Sequence, residues 1–471
     1  MHLQSPTLSR TQIAFSYGGE IWIVGRDGGE AQRLVTGSDR LIGPVFSPDG
    51  TLVAYSGNYS GNYDVYVVPA IGGDPRRLTY HPGDDIAIGW TRDGKNVLFT
   101  SRRASYSDAA QFFTMPLQGN PFPIELPLPM GSQGSFSPDG THIAYVPFFQ
   151  WEPYWRKYRG GQTTPIWIAD LSDSSIVKIP RDNSNDKDPM WVGDTVYFLS
   201  DRNGPMTLFA YDLKSGQVSE LVHNTGFDII SASAGPDGIV YDQFGSLHIY
   251  DFATHAEHEV HVRIAADMPQ VQPHFEHVTA DMIQGSGISP TGKRAVMEAQ
   301  GQILTVPAEK GDFRNLTPGS GVANRSPAWS PDGKWVAWFS DESGEYQLHI
   351  GDEFGTNKIR EIKLDEPPSF YYDISWSPDS QKISYSDKRL HLWYLNLTNG
   401  GPVEVDTDYY DEGPSPFNAK WSSDSRWLTY NRILPNMLHA VFAYSLPTGK
   451  TRQITDGMSD ARYPVFDKGG K

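Results

Sequence analysis

The sequence predicts an all-β chain built from about ten repeats of one four-stranded unit. Three observations carry that expectation: a recurring turn device, the spacing of its copies, and a Gly-containing turn downstream of each copy. The device is clearest at Trp329-Ser330-Pro331-Asp332-Gly333, followed by Val336-Ala337-Trp338-Phe339. Pro331 presets φ near −65°, Asp332 can bond back to nearby backbone, and Gly333 accepts a positive φ. Val336 and Trp338 then alternate with Trp335 and Ala337, the period of a strand.

Copies with the same anchor stand at Phe46-Ser47-Pro48-Asp49-Gly50, Trp90-Thr91-Arg92-Asp93-Gly94 and Phe136-Ser137-Pro138-Asp139-Gly140. Weaker ones follow at Trp191-Val192-Gly193-Asp194, Gly235-Pro236-Asp237-Gly238 and Ile288-Ser289-Pro290-Thr291-Gly292. After Trp329 the pattern returns at Trp376-Ser377-Pro378-Asp379-Ser380 and Trp421-Ser422-Ser423-Asp424-Ser425. A first copy begins near Leu3, and a last opens at Phe466. The mean interval is about 47 residues, the size of a four-stranded propeller blade. Downstream, Gly28-Gly29 precedes Arg33-Leu34, Gly72-Gly73 precedes Arg77-Leu78-Thr79, and Gly311 precedes Asn315-Leu316-Thr317. Such a hairpin and short strand would finish the outer edge of a blade.

Composition agrees. Gly and Pro together make up about 17% of the 471 residues and aromatics 13%, with no long amphipathic helical period. The chain is too long for one core, so two domains are expected. The units starting near 3, 46, 90, 136, 191 and 233 form a six-bladed propeller over residues 1–280. The rhythm lapses across Val262–Met282 and restarts at Ile288, which opens a second propeller over 285–471. That second one is incomplete: four blades and a stub. The fourth interval is stretched by Trp151-Glu152-Pro153-Tyr154-Trp155-Arg156-Lys157-Tyr158-Arg159-Gly160-Gly161. Its aromatic and Arg content makes Trp155, Arg156, Tyr158 and Arg159 a candidate contact insertion, the plainer reading being a loop stacked over the propeller face.

A net charge of −17 argues against a nucleic-acid or anionic-membrane partner. No apolar run approaches the ~18 residues that span a bilayer, and the start enters the first repeat without the pattern of a signal peptide. Zero Cys excludes disulfides and thiol chemistry and leaves the compartment open. No Gly-x-Ser-x-Gly elbow occurs, and no catalytic, cofactor or metal residues are assigned. His255, His258, His261, His274 and His277 form the dense histidine region, but His258-Glu259-Val260-His261 misses helical zinc spacing by one residue; a solvated hairpin is expected. Asp182-Asn183-Ser184-Asn185-Asp186-Lys187-Asp188 opens like a calcium loop, yet Lys187 stands where Gly is required, and a plain acidic loop is expected.

The run Trp155-Arg156-Lys157-Tyr158-Arg159-Gly160-Gly161 with Ile166-Trp167-Ile168 resembles the tricorn protease family. So do Pro189-Met190-Trp191 with Val196–Arg202, Ile288–Arg294, and Phe339–Tyr346, over essentially the whole chain. The repeats themselves resemble TolB-type propeller repeats. The resemblance implies a six-bladed propeller, then a seven-bladed one, then a PDZ module within a serine-peptidase core, in large cytosolic homo-oligomers that trim peptides. It implies that this chain is the propeller portion of such a peptidase, a channel and sieve for peptide substrates, cytoplasmic unless a signal peptide has been removed. The peptidase core is absent from these residues. Archaeal members place an Arg pair for the peptide's C-terminal carboxylate after the second unit's Leu-Thr; here that loop reads His81-Pro82-Gly83-Asp84-Asp85, so the role is not carried over. Two alternatives stand beside this one: a TolB-like interaction scaffold without an enzyme, and a propeller lid on a prolyl-oligopeptidase-like hydrolase.

Overall fold

The computed structural model describes residues 2–36, 40–107, 109–149, 159–265, 275, 277–319, 321–364, 367–398, 400–410, 417–467 and 469. Among these the only helical element is a 3-10 turn, Ala280–Met282. The strands make ten four-stranded antiparallel sheets, each a simple meander. The chain divides into two compact units, one of Met1–Trp151 and Thr163–Pro273, the other including His274–Lys471. Six sheets fall in the first unit and four in the second.

The first strand of each sheet is its inner strand: Gln4–Leu8, Leu41–Phe46, Asp85–Trp90, Gln133–Phe136, Asp186–Val192 and Ile229–Ala234 in the first unit. Those of the second unit are Ile283–Ile288, Asn324–Trp329, Tyr371–Trp376 and Lys420–Trp421. The turn device joins each to the next strand. Gly50 N donates to Ser47 O at 2.8 Å, the Ser47 hydroxyl donates to Asp49 Oδ1 at 2.6 Å, and Asp49 Oδ1 accepts from Thr51 N. The same Ser-to-Asp bond recurs at Ser330–Asp332 and Ser422–Asp424, both at 2.6 Å. The Ser137 hydroxyl holds the Asp139 carboxyl down to about 2. At 380 and 425 Ser takes the place of Gly and adopts φ +57°. Each hydroxyl has a use: Ser380 Oγ accepts Asp332 N from the preceding sheet's turn, and Ser425 Oγ accepts Asp379 N.

The anchor position packs neighbouring sheets together. Trp90 Nε1 donates to Val45 O, Trp376 Nε1 to Ala328 O and Trp421 Nε1 to Ser375 O, at 3.0–3.1 Å, always to the residue before the preceding anchor. An indole both fills the space between sheets and ties them. The alternation expected of Val336–Phe339 is not a half-buried pattern: Val336–Ser340 is buried throughout. Each second strand lies between two neighbouring sheets, so both of its faces are covered.

The first unit closes on itself. Leu3, Ile13, Phe15 and Trp22 of the first sheet share one core cluster with Val240, Leu247, Ile249 and Val260 of the sixth. Val262–Arg263 then pairs in parallel with Gly29–Glu30. Gly28 is required there: at φ +87°, a Cβ would sit 2.5 Å from His261 O. The Gly28-Gly29 turn thus holds the ring shut as well as finishing a blade. In the second unit the shared cores run from seventh to eighth, eighth to ninth and ninth to tenth sheets. Among the described residues no core cluster joins the tenth to the seventh.

Eight inner strands carry a register shift against their partner. Left-handed backbone marks several of these bulges: Ser5 (φ 48°), Gly43 (60°), Asp188 (50°), Ser326 (54°) and Asp373 (59°). Proline follows four of them, as Pro6, Pro44, Pro189 and Pro327. A bulge frees a backbone N–H from the ladder for a side-chain partner. Asp188 N accordingly donates to Gln133 Oε1 at 2.9 Å, and Ser326 N to Glu298 Oε2 at 2.7 Å.

Candidate functional site: the axial cavity of the first unit

The six inner strands of the first unit surround a cavity of about 870 Å³. Small residues make much of its wall, among them Gly43, Gly89, Gly134, Ser135, Ser231 and Ser233. Gly134 is kept small by the core behind it: a Cβ there would lie 3.0 Å from Ile143 Cδ1 and 3.3 Å from Phe112. The wall is mixed: glycine and serine stand beside apolar groups such as Ile88, Trp90 and Met190, with few charges.

Those charges are placed by the bulges and turns. Asp188 accepts Ala232 N at 3.3 Å and the Gln133 side-chain amide, so one carboxylate ties the fifth inner strand to the fourth and the sixth. Lys187 Nζ donates to Ile230 O, and the Ser231 hydroxyl donates to Asp242. Burial pushes the Asp188 carboxyl up, with Lys187 opposing. Burial likewise raises Asp242 to about 6, against the Ser231 bond and the Lys187 charge. Its folded value lies above the usual 3.8, so its stabilising share is full below about pH 4 and is lost as pH rises through about 6. Chemical denaturation from pH 4 to 7 should show a loss on the order of 1–3 kcal/mol that Asp242→Asn removes; equal slopes for the two proteins would refute the assignment.

At the turn end, Arg92 occupies the corner that holds Pro at 48, 138, 290, 331 and 378. Its Nε donates to Phe136 O at 2.9 Å and lies 3.3 Å from Ser137 O; its Nη2 donates to Phe136 O and to Trp191 O. Arg92 is exposed as a residue; among the described residues its guanidinium has only carbonyls as protein partners, and partial desolvation lowers its pKa.

Of the predicted contact insertion, Trp155, Arg156 and Tyr158 lie outside the described residues. Arg159 is partly exposed and carries an interaction of its own. The segment read as a plain acidic loop is a correction: Ser184, Asn185 and Asp186 are buried, and Asp186 starts the fifth inner strand. Asp186 accepts from Arg202 Nη2 at 3.1–3.2 Å, from Ser184 at 2.9 Å and from Ser200 at 2.6 Å, while Arg202 lies 5.1 Å over both Phe198 and Phe209. Arg103 repeats the arrangement in the third sheet, bonded to Asp85 and stacked over Phe99 and Phe113. In the histidine region, His258 and His261 are exposed, and His255 Nδ1 is 3.1 Å from Tyr250 Oη. Among the described residues no group of three His, Asp or Glu side chains is placed to hold a metal. Sequence reasoning missed Arg92 and Asp186; the one available signal was a charged residue where the repeat otherwise holds Pro, or where a loop was expected.

Meandering four-stranded sheets set side by side, with inner strands around an axial cavity, define a β-propeller protein, and the chain carries two such domains one after the other. The chain belongs to the tricorn protease family: residues 1–256 match the tricorn protease N-terminal β-propeller domain and residues 283–471 the second β-propeller domain. It is 27% identical over 452 residues to tricorn protease homolog 1 of Streptomyces coelicolor, covering 93% of this chain and 41% of that protein. In Sulfurisphaera tokodaii two separate proteins match, named as the N-terminal and C-terminal subunits of a tricorn-like protease. They are 21% identical over 169 residues (35% of this chain, 84% of that protein) and 23% identical over 286 residues (60% and 32%). The crystal structure of the tricorn protease shares the fold over 100% of this chain and 46% of its own, at TM-score 0.50 and 18% identity. The chain thus spans less than half the length of the first relatives it matches.

Proposed function

We propose that this chain is the propeller portion of a tricorn-type serine peptidase and that the axial cavity of its first unit is a path for peptides. The observation that carries this reading is the cavity itself: about 870 Å³ bounded by six inner strands, its wall a mixture of glycine, serine, proline and apolar side chains with few charges to hold a particular side chain. Such a wall suits extended chains of mixed sequence and excludes folded protein by width. Peptide-bond cleavage is assigned to a serine-peptidase core outside these 471 residues. In the Sulfurisphaera C-terminal subunit this chain matches only 32% of the length, which leaves room there for a separate core. Homo-oligomerisation and a cytoplasmic location go with the same reading.

The test is a size dependence. In an active assembly containing this chain, Ser233→Trp should lower kcat/KM for a long peptide by about tenfold while sparing a tripeptide ester. Equal losses for both substrates would mean damaged assembly, and the reading would fail. A sieve changes which substrates arrive and leaves the chemical barrier alone.

A further inference from the structure

We propose that Arg92 sets the aperture of the axial cavity at its turn end, so that it decides how thick a chain can enter there. The inference rests on the cavity being a path, and it assigns to one residue the limit on what passes. Arg92 follows the third inner strand, yet its guanidinium bonds to Phe136 O on the fourth and to Trp191 O at the end of the fifth. A side chain that reaches two sheets further round must cross part of the opening that those strand ends enclose. Both residues whose carbonyls it takes line the same cavity, as does Arg92 itself.

Three features mark it as more than packing. The turn does not need it: Gly94 N donates to Thr91 O at 2.9 Å and Thr91 to Asp93 at 2.7 Å, as in the copies that hold Pro. Its acceptors are carbonyls alone, with no carboxylate of the described residues within ion-pair reach, so its bonds are those of a charged donor whose acceptors water or a passing peptide carbonyl can replace. Among the described residues Nη1 has no partner. Trp191, meanwhile, turns its own Nε1 to Gly193 O at 3.1 Å and does not bond back to the preceding sheet as Trp90, Trp376 and Trp421 do, so Arg92 makes the tie at this anchor. An extended peptide offers a carbonyl at every residue and can take over those donors as it enters. A folded domain cannot bring its carbonyls so close.

The sequence supplies a clean test, because it contains no cysteine. Ser233→Cys puts one thiol on the cavity wall, two residues in from the turn at Gly235. Its modification rate is measured with a small reagent, methyl methanethiosulfonate, and with a bulky one, fluorescein maleimide. Arg92→Ala and Arg92→Pro are compared with the parent, each first shown to keep its circular dichroism and melting temperature within a few degrees. Pro is compatible with this corner in five other turns, so it guards against loss of fold in the Ala variant. The bulky reagent should react about tenfold faster in both variants and the small one less than about twofold faster, as expected when an obstruction is removed. Arg92→Lys, which keeps the charge and loses the fork, should fall between. An unchanged bulky rate overturns the proposal, and so does an equal gain for both reagents, which would report general loosening. Binding of a fluorescein-labelled twelve-residue Ala/Ser peptide is read separately: faster thiol access without faster peptide association would uphold Arg92 as the aperture and sink the peptide-path reading.

Discussion

Arg202→Ala is expected to destabilise the first unit by about 3–5 kcal/mol, among the largest effects available to a single polar substitution. Asp186 is fully buried, and burial pushes its carboxyl up in spite of the Arg202 charge and three hydrogen bonds. Removing Arg202 leaves that carboxyl without its bonded cation and strips a planar group from over the stacked pair Phe198 and Phe209. Asp186→Asn should cost less, because an amide still accepts from Ser184 and Ser200. The pair Asp186→Leu with Arg202→Met should recover most of the loss, since apolar groups of similar volume need no counter-charge. Urea denaturation of the four proteins closes the cycle. A loss below about 1 kcal/mol for Arg202→Ala would place this pair with the exposed Lys214–Asp194 pair, which should contribute almost nothing.

In the second unit the corresponding expectation is Trp338→Ala, again about 3–5 kcal/mol. Trp338 is 1% exposed and packs with Val296, Ile303, Leu316, Trp329 and Val336 where the seventh and eighth sheets meet. Its Nε1 donates to Asn324 Oδ1 at 3.1 Å, so the truncation also orphans a buried amide oxygen. The site cannot collapse easily, because the indole is seated against Gly351, where a Cβ would lie 2.9 Å from its ring. Trp338→Phe keeps much of the volume and should cost roughly 1–2 kcal/mol. Comparable losses from Phe and Ala would mean that the hydrogen bond, rather than the filled volume, holds this interface.

The repeat was legible because its causes are local. Ser47, Asp49 and Gly50 make their turn within five residues, and the same letters make it again at 330–333, so pattern and structure coincide. Trp at the anchor could be recognised as a large apolar group, but its bond to a carbonyl some 45 residues earlier could not. Distance in sequence also hid the closure through Val262–Arg263 and Gly29–Glu30, where a lapse in rhythm was the only trace. Asp186 was misread for a related reason. A run of Asp, Asn and Ser looks solvated until one knows that Ser200 and Arg202 fold back over it and that a neighbouring sheet covers the strand. Arg92 stood in plain view as the odd member of a Pro-bearing turn, yet its reach to Trp191 depends on curvature that no single repeat encodes. The aromatic insertion gave Trp155, Arg156 and Tyr158 their composition and nothing of their placement.

The bulged, proline-bearing inner strands have a bearing on solubility as well. Each is the edge of its own sheet, and an edge with a straight row of free amides is a template on which another chain can grow as cross-β. Here the template is spoiled repeatedly. Pro6, Pro44, Pro189 and Pro327 have no amide hydrogen to offer, and left-handed residues at 5, 43, 188 and 326 throw the neighbouring carbonyls out of line. Where the freed amide might still recruit a stranger, as at Asp188 and Ser326, a side chain from the preceding sheet has already taken it. Repeated sheets in one chain would otherwise present repeated nucleation sites for fibrils during synthesis and folding; the kinks leave the eight bulged inner strands with edges that fit their own neighbours and little else.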